Sequence, residues 1–406
     1  MSDNGPQAPA PRRPIGGERH AIDLTGPRSH TLIREPGVGS LVIGSPAQGR
    51  KVDLCVGAGE CIDWSVLDPF TVPDGSPWPR FLHYTGSDAG FFDWARRRPI
   101  ERMSWAAVLP VDRTVDASRS RVHDLSIALD EPGGRLHLVL PARSVSPHLS
   151  LTLGGDLSRI SVEGDVPPYL DLAPRTGRRR TDSPFQLPDM GVLQGAERLS
   201  LHNGPLAQPV SLRCLGRFPN LRSLNLRGNF CDLDELALQP RLKGLELRAM
   251  PDLGGLPALG SWPELDTFIA FNVEEAAGKR LRQQLKVRAA LRPFGGHASV
   301  SGLRKPAWWE AEFGRPFSSW PGRLARMANE VFDTALAALS GARDLAEAEA
   351  AITAFTVRFN DVKGIETTER EALAEAVWQL SRSDAMARLG GTEDDAQRWF
   401  DDARRY

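Results

Sequence analysis

The apolar positions change period along this chain, and the changes divide it into three parts. From about residue 20 to 172, short alternating runs are separated by turn residues and predict many short strands. Examples are Leu41-Val-Ile43, Val52-Asp-Leu54-Cys-Val56, Leu125-Ser-Ile127-Ala-Leu129 and Leu136-His-Leu138-Val-Leu140. The last two flank Glu131-Pro-Gly-Gly134 and predict a hairpin. From 196 to 273 the alternation settles into a recurring phrase. After Pro306 the apolar period becomes helical. One helix is predicted over Trp320–Leu339, with Leu324, Met327, Val331, Ala335 and Leu339 on one stripe. A second starts at Asp344 and carries Ala348, Ile352, Phe355 and Phe359. A third opens on the capping box Thr368-Glu-Arg-Glu371 and carries Leu373, Val377 and Leu380. A short fourth begins at Thr392, with Asp394 and Asp395 near its positive end.

The recurring phrase is a proline, one residue, then leucine-x-x-apolar-x-apolar. It reads Pro219-Asn-Leu221-Arg-Ser-Leu224-Asn-Leu226, then Pro240-Arg-Leu242-Lys-Gly-Leu245-Glu-Leu247, then Pro263-Glu-Leu265-Asp-Thr-Phe268-Ile-Ala270. A looser copy is Ala196-Glu-Arg-Leu199-Ser-Leu201. Equivalent positions 199, 224, 245 and 268 are 25, 21 and 23 residues apart. One such unit cannot bury its own apolar side, so the units must stack, each leucine touching its equivalents. Alternation sends Leu224 and Leu226 inward and leaves Arg222, Asn225 and Arg227 to solvent.

Phrase and interval resemble the leucine-rich repeat family, whose units run about 20–29 residues. The resemblance covers 196–273 and is fainter from 20 to 195. It implies an α+β fold: a leucine-rich-repeat-like solenoid with a parallel β ladder, followed by a C-terminal α-helical bundle. Asn229 stands where the family keeps an asparagine for the turning backbone, while Met250 and Val273 take that place in the next copies. The domain reading is a disordered tail over 1–17, an irregular β-rich region of degenerate repeats and cap over 18–195, repeats with a closing helix over 196–292, a linker over 293–306 and a helical bundle over 307–406. The closing helix, Val273–Leu291, has Leu281, Leu285 and Ala289 on one stripe to seal the open end, among Lys279, Arg280, Arg282, Lys286 and Arg288.

Composition narrows the function classes. A net charge of −1 over 406 residues exerts no global pull on nucleic acid or membrane. No run approaches the roughly 18 apolar residues of a membrane span. The basic clusters Arg178-Arg179-Arg180 and Lys279, Arg280, Arg282 and Lys286 belong to no recognised nucleic-acid module. Cys55, Cys61, Cys214 and Cys231 show neither zinc spacing nor a dense disulfide framework, which points to a reduced, cytoplasmic setting. The eight histidines are scattered and none follows His297, so no metal site and no cofactor is implied. In Gly44-Ser-Pro-Ala-Gln-Gly49-Arg50-Lys51 the lysine is one place late for a phosphate loop and no Ser or Thr follows. Glu366, Glu369, Glu371 and Glu375 cluster where a helix dipole accounts for acids.

What remains is a surface. Aligning the repeats places Glu197, Arg222, Lys243 and Asp266 in one column of the concave face, Ser200, Asn225, Glu246 and Ile269 in a second, and His202, Arg227, Arg248 and Phe271 in a third. Stacked guanidiniums repel unless an anionic group answers them. The chain therefore reads as a non-catalytic scaffold binding a protein partner with an acidic patch. The residues expected to carry it are His202, Arg222, Asn225, Arg227, Lys243, Glu246, Arg248, Ile269 and Phe271. The alternatives are an enzyme using Glu366, Glu369 and Arg370, or a nucleic-acid binder using the basic loops.

Overall fold

Strands that alternate leucine with polar residues pair side by side in sequence order. The computed structural model describes residues 17–405 apart from 46–51, 74, 178–179, 318–319, 364 and 366. Residues 1–16 of the expected tail, most of the Gly44–Lys51 loop, Glu366, and Arg178 with Arg179 lie outside the described residues. One sheet runs through β1 (Ser40–Gly44), β2 (Leu54–Cys55), β3 (Phe81–Gly86), β4 (Ile100–Ala107), β5 (Val122–Leu129) and β6 (Ser150–Gly155). It continues through β7 (Tyr169–Pro174), β8 (Arg198–His202), β9 (Ser223–Arg227), β10 (Gly244–Met250), β11 (Thr267–Glu274) and β12 (Ala298–Arg304). Every pairing within this sheet is parallel, and the spatial order follows the chain from β3 to β12, with β1 and β2 beyond β3. The result is a mixed α and β architecture, a parallel sheet followed by C-terminal helices.

Register places like residues against like. Leu199 pairs with Leu224, Leu224 with Leu245, and Leu245 with Phe268. Leu201, Leu226, Leu247 and Ala270 form the next apolar row. All eight are buried, within a single core that extends from Ile22 to Leu281. The segments between strands are held by short 3₁₀ turns, Leu212–Arg217, Leu233–Leu238 and Leu259–Ser261. Pro219, Pro240 and Pro263 each follow two residues later, where fixed φ favours extension into the next strand. Side chains tie one return segment to the one before: Gln239 Nε2 donates to Leu215 O at 2.7 Å and Trp262 Nε1 to Leu236 O at 3.1 Å. Asn229 is buried and donates from Nδ2 to Ala207 O, 2.7 Å away. Gly228 sits at φ 115°, and a Cβ there would lie 2.0 Å from Asn203 O, so the turn after β9 requires glycine.

The structure corrects several expectations. Leu125–Leu129 and Leu136–Leu140 do not form a hairpin. The first belongs to β5, while Leu136–Val139 lies in a separate parallel sheet with Arg113–Asp116 and Ile160–Glu163. The return segments after β4, β5 and β6 each carry a strand of this second sheet, so the run between Asp130 and Arg135 turns a corner instead of reversing the chain. The stretch 293–306, expected as linker, contains β12, paired to β11 through Phe268–Ala298 and Ala270–Val300. Consequently the expected closing helix is not at the end. It is α2 (Glu275–Leu291), which connects β11 to β12 and packs Ala277, Gly278 and Leu281 into the core. The short α1 (Phe91–Trp94) lies upstream in the same core.

The C-terminal helices are α3 (Pro306–Phe313), α4 (Gly322–Gly341), α5 (Leu345–Val357), α6 (Thr367–Ser381), α7 (Asp384–Leu389) and α8 (Glu393–Ala403). They enclose their own core, including Phe317, Phe332, Phe355, Leu373 and Phe400. In helix α4 the C-terminal part of the expected stripe, Ala335 and Leu339, is buried, but in the N-terminal part Ala328 and Phe332 are buried while Leu324, Met327 and Val331 are only partly so. Asp344 caps α5, and Thr392 with Asp395 forms a capping box on α8. Trp309, Trp320 and Trp399 are buried, but Trp308 and Trp378 are not.

Because Leu224 is fully buried between Leu199 and Leu245, Leu224→Ala removes contacts on both sides. Urea unfolding of the variant is expected to show a loss of about 2–5 kcal/mol. The neighbouring Ser223→Ala should stay within about 0.5 kcal/mol. Equal midpoints for the two would contradict the shared apolar row.

Candidate functional site

Fixing the leucines inward leaves the odd-numbered positions of β9, and their equivalents, on the opposite face. Two rows there are in register across four strands. Ser200, Asn225, Glu246 and Ile269 form the middle row, which extends to Asp171 on β7 and Ser299 on β12. His202, Arg227, Arg248 and Phe271 form the row at the strands' C-terminal ends. Neighbouring members stand about 4.8 Å apart across a sheet. The remaining column, Glu197, Arg222, Lys243 and Asp266, lies just before the strands. Its main chain is linked by Arg222 N to Glu197 O, Lys243 N to Arg222 O and Asp266 N to Lys243 O at 2.7–2.8 Å. Seven of the nine residues expected from the sequence, His202, Asn225, Arg227, Glu246, Arg248, Ile269 and Phe271, thus come together on the open face of β8–β11, and Arg222 and Lys243 stand just before β9 and β10.

Their charges are less free than the sequence implies. Arg248 Nε donates to Glu246 Oε2 at 2.9 Å, and its Nη2 lies 2.8 Å from the same oxygen as an ion pair. His202 Nε2 lies 3.8 Å from Asp171 Oδ1. Lys243 Nζ lies 3.8 Å from Glu264 Oε2, with both side chains about half exposed, a contact that contributes little. Arg222 and Arg227 have no ion pair or side-chain hydrogen bond among the described residues. Phe271 is 42% exposed at the end of the row. Beyond it, Arg304 donates to Asn272 Oδ1 at 3.0 Å and lies 4.2 Å over the Trp308 ring.

Asp171 is the site residue that the sequence reading missed. Its signal was Leu170-Asp-Leu172, the same alternation one strand earlier, lacking only the preceding proline phrase. Burial alone would push its carboxyl up. The polar side chains of His202, Ser200 and Thr152 around it favour the charged form, outweigh that and hold it below the usual carboxylate range. Toward the N-terminal half the same face changes character. Ala106, Ala128, Gly154 and Ala173 replace the charged row, and Ser104, Ser126 and Thr152 the middle one. A groove of about 350 Å³ opens there beside His83, Ser104 and Ser126.

The other sequence candidates lie elsewhere. Glu371 on α6 pairs with Arg175, which follows β7, at 2.8 Å. Glu375 accepts from Gln379 Nε2 at 3.3 Å. Beside them a cleft of about 600 Å³ separates the strand-end loop Gly204–Ala207 from Phe313, Arg315 and Trp378 of the helical region. On α2, Lys279 is paired with Glu275 and Arg282 donates to Val300 O. Among the described residues no group of three or more His, Cys, Asp or Glu could hold a metal ion. No helix among them is long and apolar enough to cross a membrane. No protein-family model matches this chain, and no curated protein or solved structure matches it.

The depressed carboxyl of Asp171 makes stability depend on pH in a defined direction. A group lowered in the folded state stabilises above its unfolded value, about 3.9, and loses that contribution as pH falls through the folded value. Thermal melts of Asp171→Asn should therefore fall below those of the unaltered chain at pH 5–7, and the gap should narrow below about pH 4. A gap that is the same at every pH would contradict a carboxylate held charged by its polar neighbours.

Proposed function

We propose that this chain is a non-catalytic scaffold in which a leucine-rich-repeat-like solenoid receives a protein partner on its concave face. The observation that carries the reading is the row His202–Arg227–Arg248–Phe271, set in register on four adjacent parallel strands with Phe271 exposed. Arginine and aromatic side chains dominate the energetics of protein interfaces, and a rigid sheet loses little entropy in presenting them. The middle row supports it with Asn225, Glu246 and Ile269, and the entry column with Arg222 and Lys243. A partner with an acidic patch answers the excess of guanidinium on β9. The C-terminal helices, joined to β7 through Arg175 and Glu371, flank this surface and supply a second contact.

The test compares affinity capture by the full chain and by Arg227→Ala/Arg248→Ala/Phe271→Ala, with proteins quantified by mass spectrometry. The partner should be depleted at least about tenfold in the variant, the loss of one or two anchoring residues. Equal recovery of every captured protein by both forms would overturn the reading.

A further inference from the structure

Arg222, just before β9, and Arg227, its last residue, have no ion pair and no side-chain hydrogen bond among the described residues. The sequence had grouped Arg227 with Arg248 and His202, across strands. In the structure those two neighbours are already engaged by Glu246 and Asp171. The cations of this region that have neither an ion pair nor a side-chain hydrogen bond are therefore Arg227 at the end of β9 and Arg222 just before it. Five residues at about 3.3 Å each separate the two, roughly 16 Å.

The middle row sharpens this axis. Reading across the strands it runs Asp171, Ser200, Asn225, Glu246. An acidic ligand lying across the strands would meet a carboxylate on either side of β9. Along β9 it meets only the neutral carboxamide of Asn225. The Oδ1 of Asn225 is enclosed and accepts no hydrogen bond. An unsatisfied buried acceptor is costly. Rotation of the carboxamide would turn that oxygen outward, where a main-chain N–H supplies the missing donor. Asn225, a group suited to a peptide unit, thus stands between Arg222 before the strand and Arg227 at its end, with borders on either side whose charged groups are already paired with one another.

We infer that the partner engages this face as an extended acidic segment lying along β9, its carboxylates answered by Arg222 and Arg227 and its main chain by Asn225. The inference rests on the open-face reading above and narrows it to one strand and one ligand class. The probes are synthetic peptides in a Gly/Ser background carrying two glutamates separated by one to eight residues, with a glutamine series as control. Binding to the full chain is followed by fluorescence anisotropy at low salt, where exposed pairs are least screened. Affinity should peak when the glutamates are four to six positions apart and fall about tenfold in the glutamine series. Arg222→Ala and Arg227→Ala should each weaken it about fivefold or more, and Arg248→Ala and Lys243→Ala by less than about twofold. Affinity independent of spacing would overturn the inference, as would no binding by any peptide of the series at millimolar concentration. Dependence on Arg248 and Phe271 instead of Arg222 would sink the single-strand axis and leave the open-face reading standing. Binding that survives every open-face substitution would sink both.

Discussion

The structure depends on one constraint: successive strands pair in parallel with their leucines in register. Side chains on a strand alternate with a period of two, so burying Leu199, Leu224, Leu245 and Phe268 in one row dictates what the other face displays. A slip of one residue would expose the leucines and bury Asn225, Arg227 and Glu246. Register is therefore fixed by burial, and the polar face follows from it without further specification. Return segments of unequal length are absorbed by 3₁₀ turns and by cross-bonds such as Gln239 to Leu215 O. This leaves the strands aligned although their spacing varies from 21 to 25 residues.

Position alone does not decide which of the displayed groups is available. Polar neighbours on the same face draw Arg248 to Glu246, two residues away, and set His202 3.8 Å from Asp171 on the adjacent strand. Such short-range pairing withdraws Arg248 and His202 from the stripe of like groups and leaves Arg227 of β9 without an ion pair among the described residues. Farther along, Ala106, Ala128, Gly154 and Ala173 make the same face nearly flat. One sheet thus offers a smooth half and a bristling half.

The sequence made legible whatever its periodicity encodes. The three proline-leucine phrases located β9, β10 and β11 and their relative register, and hence the columns of the polar face. Asp344 and Thr392 marked the starts of α5 and α8 because caps are local chemistry. The reading failed where an element is set by long-range packing. Ala298–Arg304 lacks the leucine phrase, and its glycine and two serines look like a linker; it is a strand because β11 offers it an edge. The pair around Glu131–Gly134 looked like a hairpin because turn residues alone do not say whether a chain reverses or turns a corner between two sheets. The paired state of Arg248 was half visible, since Glu246 was in the neighbouring column. That of His202 was hidden, because Asp171 sits in a strand without the phrase.

The functional account rests on the claim that the open face of β9 meets the partner, and proximity is its most direct measure. A photo-reactive benzoylphenylalanine placed at Asn225 lies in the middle row, whereas one at Val287 lies on the exposed side of α2. Irradiation of the full chain in its native lysate is predicted to give a partner adduct from position 225 and none from 287. Adducts from 287 with none from 225 would contradict it.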